Sequence, residues 1–105
     1  MDAAKKARLE KGGWRVGNAE EFLGLASEEA ALIELKLALS DALRKRRTSE
    51  GLTQSELARR LGSSQSRVAK MEAADSTVSM DLLVRAYLAL GATTKDLARA
   101  ISKAS

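Results

Sequence analysis

Between residues 53 and 72 stands a group of side chains suited to reading a surface rather than to breaking bonds. Gln65 carries an amide that both donates and accepts, the two functions needed to grip adenine at two points. Ser66, Arg67 and Lys70 follow on what a helix would make its outward face, where they can reach bases or phosphates. Thr53 and Ser64 stand at two candidate helix starts and belong to the candidate DNA-binding set.

Reaction chemistry finds little to work with. Histidine and cysteine are both absent, which removes the usual general base, the commonest metal ligand, thiol nucleophiles, Cys-based zinc sites and disulfides. No paired-carboxylate or Ser-Lys arrangement stands out, and Gly12, Gly13 and Gly17 precede no phosphate-loop motif. The expectation is a protein without catalysis, cofactor or metal.

The net charge of +4 is unevenly spread. From Arg44 to Lys70 eight basic residues (Arg44, Lys45, Arg46, Arg47, Arg59, Arg60, Arg67 and Lys70) face only Glu50 and Glu56. Basic residues near a helix C-terminus explain Arg44 to Arg47. They do not explain why the excess continues, and a basic patch beside a helical reading motif is the footprint of phosphate binding.

These side chains need helices to hold them. Proline is absent, β-branched residues never alternate with polar ones, and the 105 residues suffice for one modest core. Gly24, Gly51, Gly62 and Gly91 each follow an apolar-periodic stretch, where a left-handed cap belongs. A short helix is expected from Asn18 to about Leu23. Next comes a long one from Ser27 to about Arg47, with Leu32, Leu35, Leu39, Ala42 and Leu43 on one face, and Ile33 and Leu37 off it, either widening the core face or docking the N-terminal segment. Thr53, Ser64, Ser79 and Thr94 start the remaining four. In the middle pair, Ala58 allows a close crossing, Gly62 supplies the turn, and Leu57, Leu61, Val68 and Met71 face inward. An ordinary helical hairpin has the same anatomy, but not the polar cluster from Gln65 to Lys70.

The stretch GLTQSELARRLGSSQSRVAKMEA, Gly51 to Ala73, resembles the Cro/cI-type Xre helix-turn-helix of phage repressors and bacterial regulators. The likeness continues through STVSMDLLVRAYLALGA and covers roughly residues 30–102. It implies an all-α, five-helix fold similar to that of lambda repressor, residues 27–105, behind an N-terminal extension, residues 1–26. It further implies that Gln54 binds a phosphate and braces Gln65, that Ser66 touches a base or phosphate, and that Glu72 pairs with Arg47 as a structural bridge. Ser63 departs from the small apolar residue usual there, and Arg67 from the usual Thr or Ser.

A good base contact is worth ~1–3 kcal/mol of discrimination, and specific binding must exceed non-specific binding by ~4–10 kcal/mol. One short helix barely reaches that, so a homodimer on an inverted repeat is expected, with Thr94 to Ile101 as either its interface or a core cap. Residues 12–25 hold the only Trp and only Phe. Trp14, Val16, Phe22 and Leu23 either pack on the long helix or form a partner-binding arm. The second arrangement resembles HigA-type antitoxins, which repress their own operon and neutralise a RelE-like ribonuclease toxin. Met1 to Lys11 reads as a mobile basic arm and not as a secretory signal, and no apolar run spans a membrane, so a cytoplasmic location is expected.

Overall fold

The computed structural model describes residues 27–104 together with Ala4, Ala7, Arg8 and Lys11, which have helical backbone. The expected Asn18–Leu23 helix, its cap at Gly24, and Trp14, Val16, Phe22 and Leu23 lie outside the described residues. Residues 27–104 form five helices and no strand: α1 (Ser27–Ser49), α2 (Gln54–Leu61), α3 (Gln65–Glu72), α4 (Met80–Ala89) and α5 (Thr94–Ser102). Among the described residues no helix is long and apolar enough to cross a membrane.

Local chemistry sets the boundaries. Thr53 is extended and accepts the Glu56 N–H at 3.1 Å, while the Glu56 carboxylate accepts the Thr53 N–H at 3.1 Å, a reciprocal cap that starts α2. Those bonds, the Thr53 N–H foremost, hold the Glu56 carboxyl below its ordinary value. Ser64 caps α3 through the Arg67 N–H and Ser79 caps α4 through the Leu82 N–H. Thr93 and Asp96 repeat the reciprocal cap at α5, whose first helical residue is Thr94 as expected. Between α2 and α3, Gly62 sits at φ +64, and its N–H and that of Ser63 return to the carbonyls of Arg59 and Ala58. A side chain there would meet open space; the requirement is for the left-handed backbone alone, which costs an L-residue ~1–2 kcal/mol.

α1 is 23 residues long, about 34 Å at 1.5 Å per residue, and lies across α3, α4 and α5, while α2 packs against α3 and α4. Leu39, Leu43, Leu57, Val68, Met71 and Leu83 are fully buried where these helices meet. Burial of such side chains contributes ~1.5–3 kcal/mol each.

The buried face of α1 differs from the expected stripe. Ile33, Lys36, Leu37, Leu39, Ser40 and Leu43 are buried, while Leu32 is 44% exposed and Leu35 is half-buried. Aliphatic residues go almost all the way round the first half of this helix, so they mark no direction. The side that packs inward carries two polar residues, Lys36 and Ser40. Burial pushes the Lys36 ammonium below its ordinary value, partly opposed by the charge of Asp75. On α5, Ala100 is buried and Leu97 is half-buried against the core, whereas Ile101 is 36% exposed, so the helix caps the core through Ala100 and Leu97.

Asp96 gives this framework an acid-sensitive joint. The Thr93 N–H first, then Arg99 and the Thr93 hydroxyl, push its carboxyl from an ordinary 3.8 down to about 2. The folded value is the lower one, so the contribution to stability is present above the unfolded value and drains away as pH falls towards 2. Denaturant titrations between pH 5 and 2, a range set by the ordinary and the shifted carboxyl values, should therefore show a shallower acid limb for Asp96→Asn than for the unaltered protein. Parallel limbs would contradict this assignment.

Candidate nucleic-acid interface

The inter-helix turn sets the N-terminus of α3 at the surface, so Gln65, Ser66, Arg67 and Lys70 are all exposed while Val68 and Met71 anchor the opposite side. The Ser64 hydroxyl is occupied by the Arg67 N–H, and the Ser64 and Ser66 hydroxyls lie 3.3 Å apart. Thr53 likewise spends its hydroxyl on its own helix.

Behind these residues runs a chain of hydrogen bonds that begins in the interior. Arg47 Nε donates to Glu72 Oε2 at 2.6 Å and Nη2 to Oε1 at 2.9 Å, while Nη1 donates to the Leu52 carbonyl at 2.7 Å. This joins the end of α1, the α1–α2 turn and the end of α3. The Glu72 side chain is 4% exposed and that of Arg47 13%. The hydrogen bonds to Glu72 hold the guanidinium above its ordinary value. A carboxylate this deep needs its acceptors filled, and a third donor, Gln54 Nε2, lies 3.2 Å from Oε1. Gln65 Nε2 in turn donates to Gln54 Oε1 at 2.6 Å.

The chain has a polarity. An ionised carboxylate only accepts, so Gln54 turns its NH2 towards Glu72 and its oxygen towards Gln65. Gln65 must then turn its own NH2 inward. One Nε2–H and the Oε1 of Gln65 remain for an outside partner, in fixed order. That is the donor and acceptor pair which adenine matches with N7 and its N6 amine.

The structure sends the basic residues to different places. Arg47 belongs to the chain just described. Arg46 donates to the Leu90 carbonyl at 3.1 Å, lies 3.6 Å from Asp96 and 5.9 Å from the centre of the Tyr87 ring, and so ties α1 to α4 and α5. Lys45 lines a groove of about 500 Å³ beside Tyr87, Asp96 and Ala100, on the α5 side of the molecule. Arg46 and Arg47 are thus committed to the fold, while Arg44 and Lys45 at the end of α1 stay exposed. Arg59, Arg60, Arg67 and Lys70 stand exposed on the two motif helices.

One flank was not visible in the sequence. A shallow cleft of about 360 Å³ separates α3 from the next turn, lined by Ser64, Ser66, Arg67, Lys70, Thr77, Val78 and Leu82. The turn is shaped by Asp75, whose carboxylate accepts both the hydroxyl (2.6 Å) and the N–H (2.9 Å) of Thr77. These bonds, the hydroxyl's first, hold the Asp75 carboxyl below its ordinary value. Asp followed two residues later by Thr is a local turn signal that could have been found. Its position against α3 could not.

A helix-turn-helix family model matches residues 43–97, just over half of the chain. No curated protein and no solved structure gives a match.

Removing one partner of a buried ion pair costs far more than replacing both by apolar residues of similar volume. Glu72→Gln alone should cost on the order of 3 kcal/mol in urea unfolding, because it strands Arg47. The joint replacement Arg47→Met with Glu72→Leu should recover most of that. In both variants the side-chain amide resonances of Gln54 and Gln65 should collapse towards those of free glutamine. If the doubly replaced, stable protein keeps them dispersed, the ion pair does not orient the glutamines.

Proposed function

The chain belongs to the helix-turn-helix family, and from that premise we propose that it is a dimeric transcriptional repressor reading an inverted repeat in double-stranded DNA. The family makes it a DNA-binding regulator. The finer reading rests chiefly on the polar chain ending at Gln65, since a helical hairpin with only a packing role has no use for a surface amide of fixed polarity. In this reading α3 enters the major groove with its N-terminal turn foremost. Gln65 contacts an adenine, Ser66 and Arg67 reach neighbouring bases or phosphates, and Lys70 reaches a phosphate. Gln54, Thr53 and Ser64 lie where backbone N–H groups at two helix starts meet the DNA strand.

Two copies on half-sites about 34–36 Å apart bring the summed discrimination into the range a repressor needs. The exposed Leu88 on α4 and Ile101 on α5 are large apolar side chains that a second copy could cover. For the biological setting we favour an antitoxin that represses its own operon and neutralises a RelE-like ribonuclease. Its support is the resemblance to HigA-type antitoxins and the concentration of Trp14, Val16, Phe22 and Leu23 in a short stretch ahead of the motif. A regulator with no toxin partner is the other reading.

Gln65→Ala should lower affinity for the operator by ~1–3 kcal/mol per half-site and leave affinity for random duplex nearly unchanged, by fluorescence anisotropy at fixed salt. Equal losses on both duplexes would remove direct readout. Affinity of the unaltered protein should also fall steeply with salt, whereas a flat response would favour a protein-binding module. Trp14→Ser with Phe22→Ser should abolish neutralisation of a ribonuclease encoded beside this protein while DNA binding persists; retained neutralisation would refute the arm's role.

A further inference from the structure

Arg8 does not stand free on a basic arm. Its Nη1 lies 2.5 Å from Oδ1 of Asp41 on α1, and its Nη2 donates to the backbone carbonyl of Glu72 at 3.1 Å. Glu72 is the last residue of α3, and its carbonyl is one that a helix leaves without an N–H partner. The end of a helix is also where a cation is favoured. A guanidinium can hold two acceptors on two elements at once through separate nitrogens; an ammonium offers no such fork.

Arg8 and Asp41 are 28% and 40% exposed, so the pair by itself adds little to stability. Its location matters more. The same Glu72 offers its carbonyl to Arg8 and its carboxylate to Arg47 and Gln54. Arg8 and Asp41 both lie outside the matched residues 43–97.

We propose that Arg8 is a positioning residue for DNA reading: by clamping the Glu72 carbonyl to Asp41 it fixes the C-terminal end of α3, and through Glu72 the orientation of Gln65. The proposal rests on the DNA-reading role given above. Removing Arg8 then lowers sequence discrimination while attraction to phosphates is kept.

The test uses the full chain, an operator duplex selected from a randomised pool, and a random duplex, each titrated at several salt concentrations. Arg8→Gln should reduce the ratio of operator to random affinity roughly three- to tenfold, the size of a modest through-structure coupling, with the salt slope unchanged. Asp41→Asn should act in the same direction and add little to Arg8→Gln, since both break one link. Arg8→Lys should recover only part of the ratio. Amide hydrogen exchange in the last turn of α3 should speed up in Arg8→Gln more than the change in global stability explains, a readout that needs no DNA.

A salt slope reduced by about one with equal weakening on both duplexes would make Arg8 a phosphate contact and overturn the proposal. A lower melting temperature with an unchanged affinity ratio and unchanged α3 exchange would make it merely structural, and would overturn it too. Failure of the unaltered protein to discriminate would instead overturn the DNA-reading role, and the exchange measurement would still decide whether Arg8 holds α3.

Discussion

Arg47 and Glu72 bind each other through two nitrogens and two oxygens at a place with little access to water. Such a pair tolerates few geometries, because each charge loses its hydration and must be repaid by well-aimed partners. Its tolerance is narrowed further by a third nitrogen on the Leu52 carbonyl and by Gln54 on the Glu72 carboxylate. The end of α1, the start of α2 and the end of α3 are therefore fixed by one cluster. The hydrophobic core brings these helices together, but apolar contacts alone would allow them to slide. The ion pair gives the motif its register, and the amide of Gln65 inherits its direction from it.

The remainder of the fold supports that cluster from outside. Reciprocal caps at Thr53–Glu56 and Thr93–Asp96 start α2 and α5 at defined residues, and Gly62 turns the chain without a steric demand on its neighbours. Arg46, one residue from Arg47, braces α1 against the α4–α5 corner through the Leu90 carbonyl, Asp96 and Tyr87. Adjacent arginines thus face different helices: one secures the reading motif, the other the back of the domain.

Much of this was legible in the sequence where one residue determines a local outcome. Ser64 and Ser79 bond N–H groups three residues ahead, so the starts of α3 and α4 could be read directly. Leu57, Val68 and Met71 are buried as their spacing required. The resemblance supplied the pairs Arg47–Glu72 and Gln54–Gln65, but elsewhere the reading failed where distant partners decide. The inward face of α1 was misjudged because Lys36 and Ser40 occupy it and Leu32 does not. α3 ends without a glycine: Ala74 takes the positive φ of 54, fully buried, so no Gly signal marks that turn. Arg8 is separated from Glu72 by 64 residues, and a basic residue near a terminus carries no mark of its partner. The link between Gln54 and Glu72, which turns two separate pairs into one chain, is a matter of three-dimensional aim and has no sequence signature.

The central claim is that a buried carboxylate sets the base preference of a surface glutamine two hydrogen bonds away. Selection of bound duplexes from a fully randomised pool, run with the unaltered protein and with Glu72→Gln under conditions where both are folded, tests it most directly. The unaltered protein should yield an inverted repeat with one strongly preferred adenine in each half-site, and Glu72→Gln should lose preference at that position while retaining the rest of the site. Recovery of the same adenine with undiminished preference by folded Glu72→Gln would contradict the account.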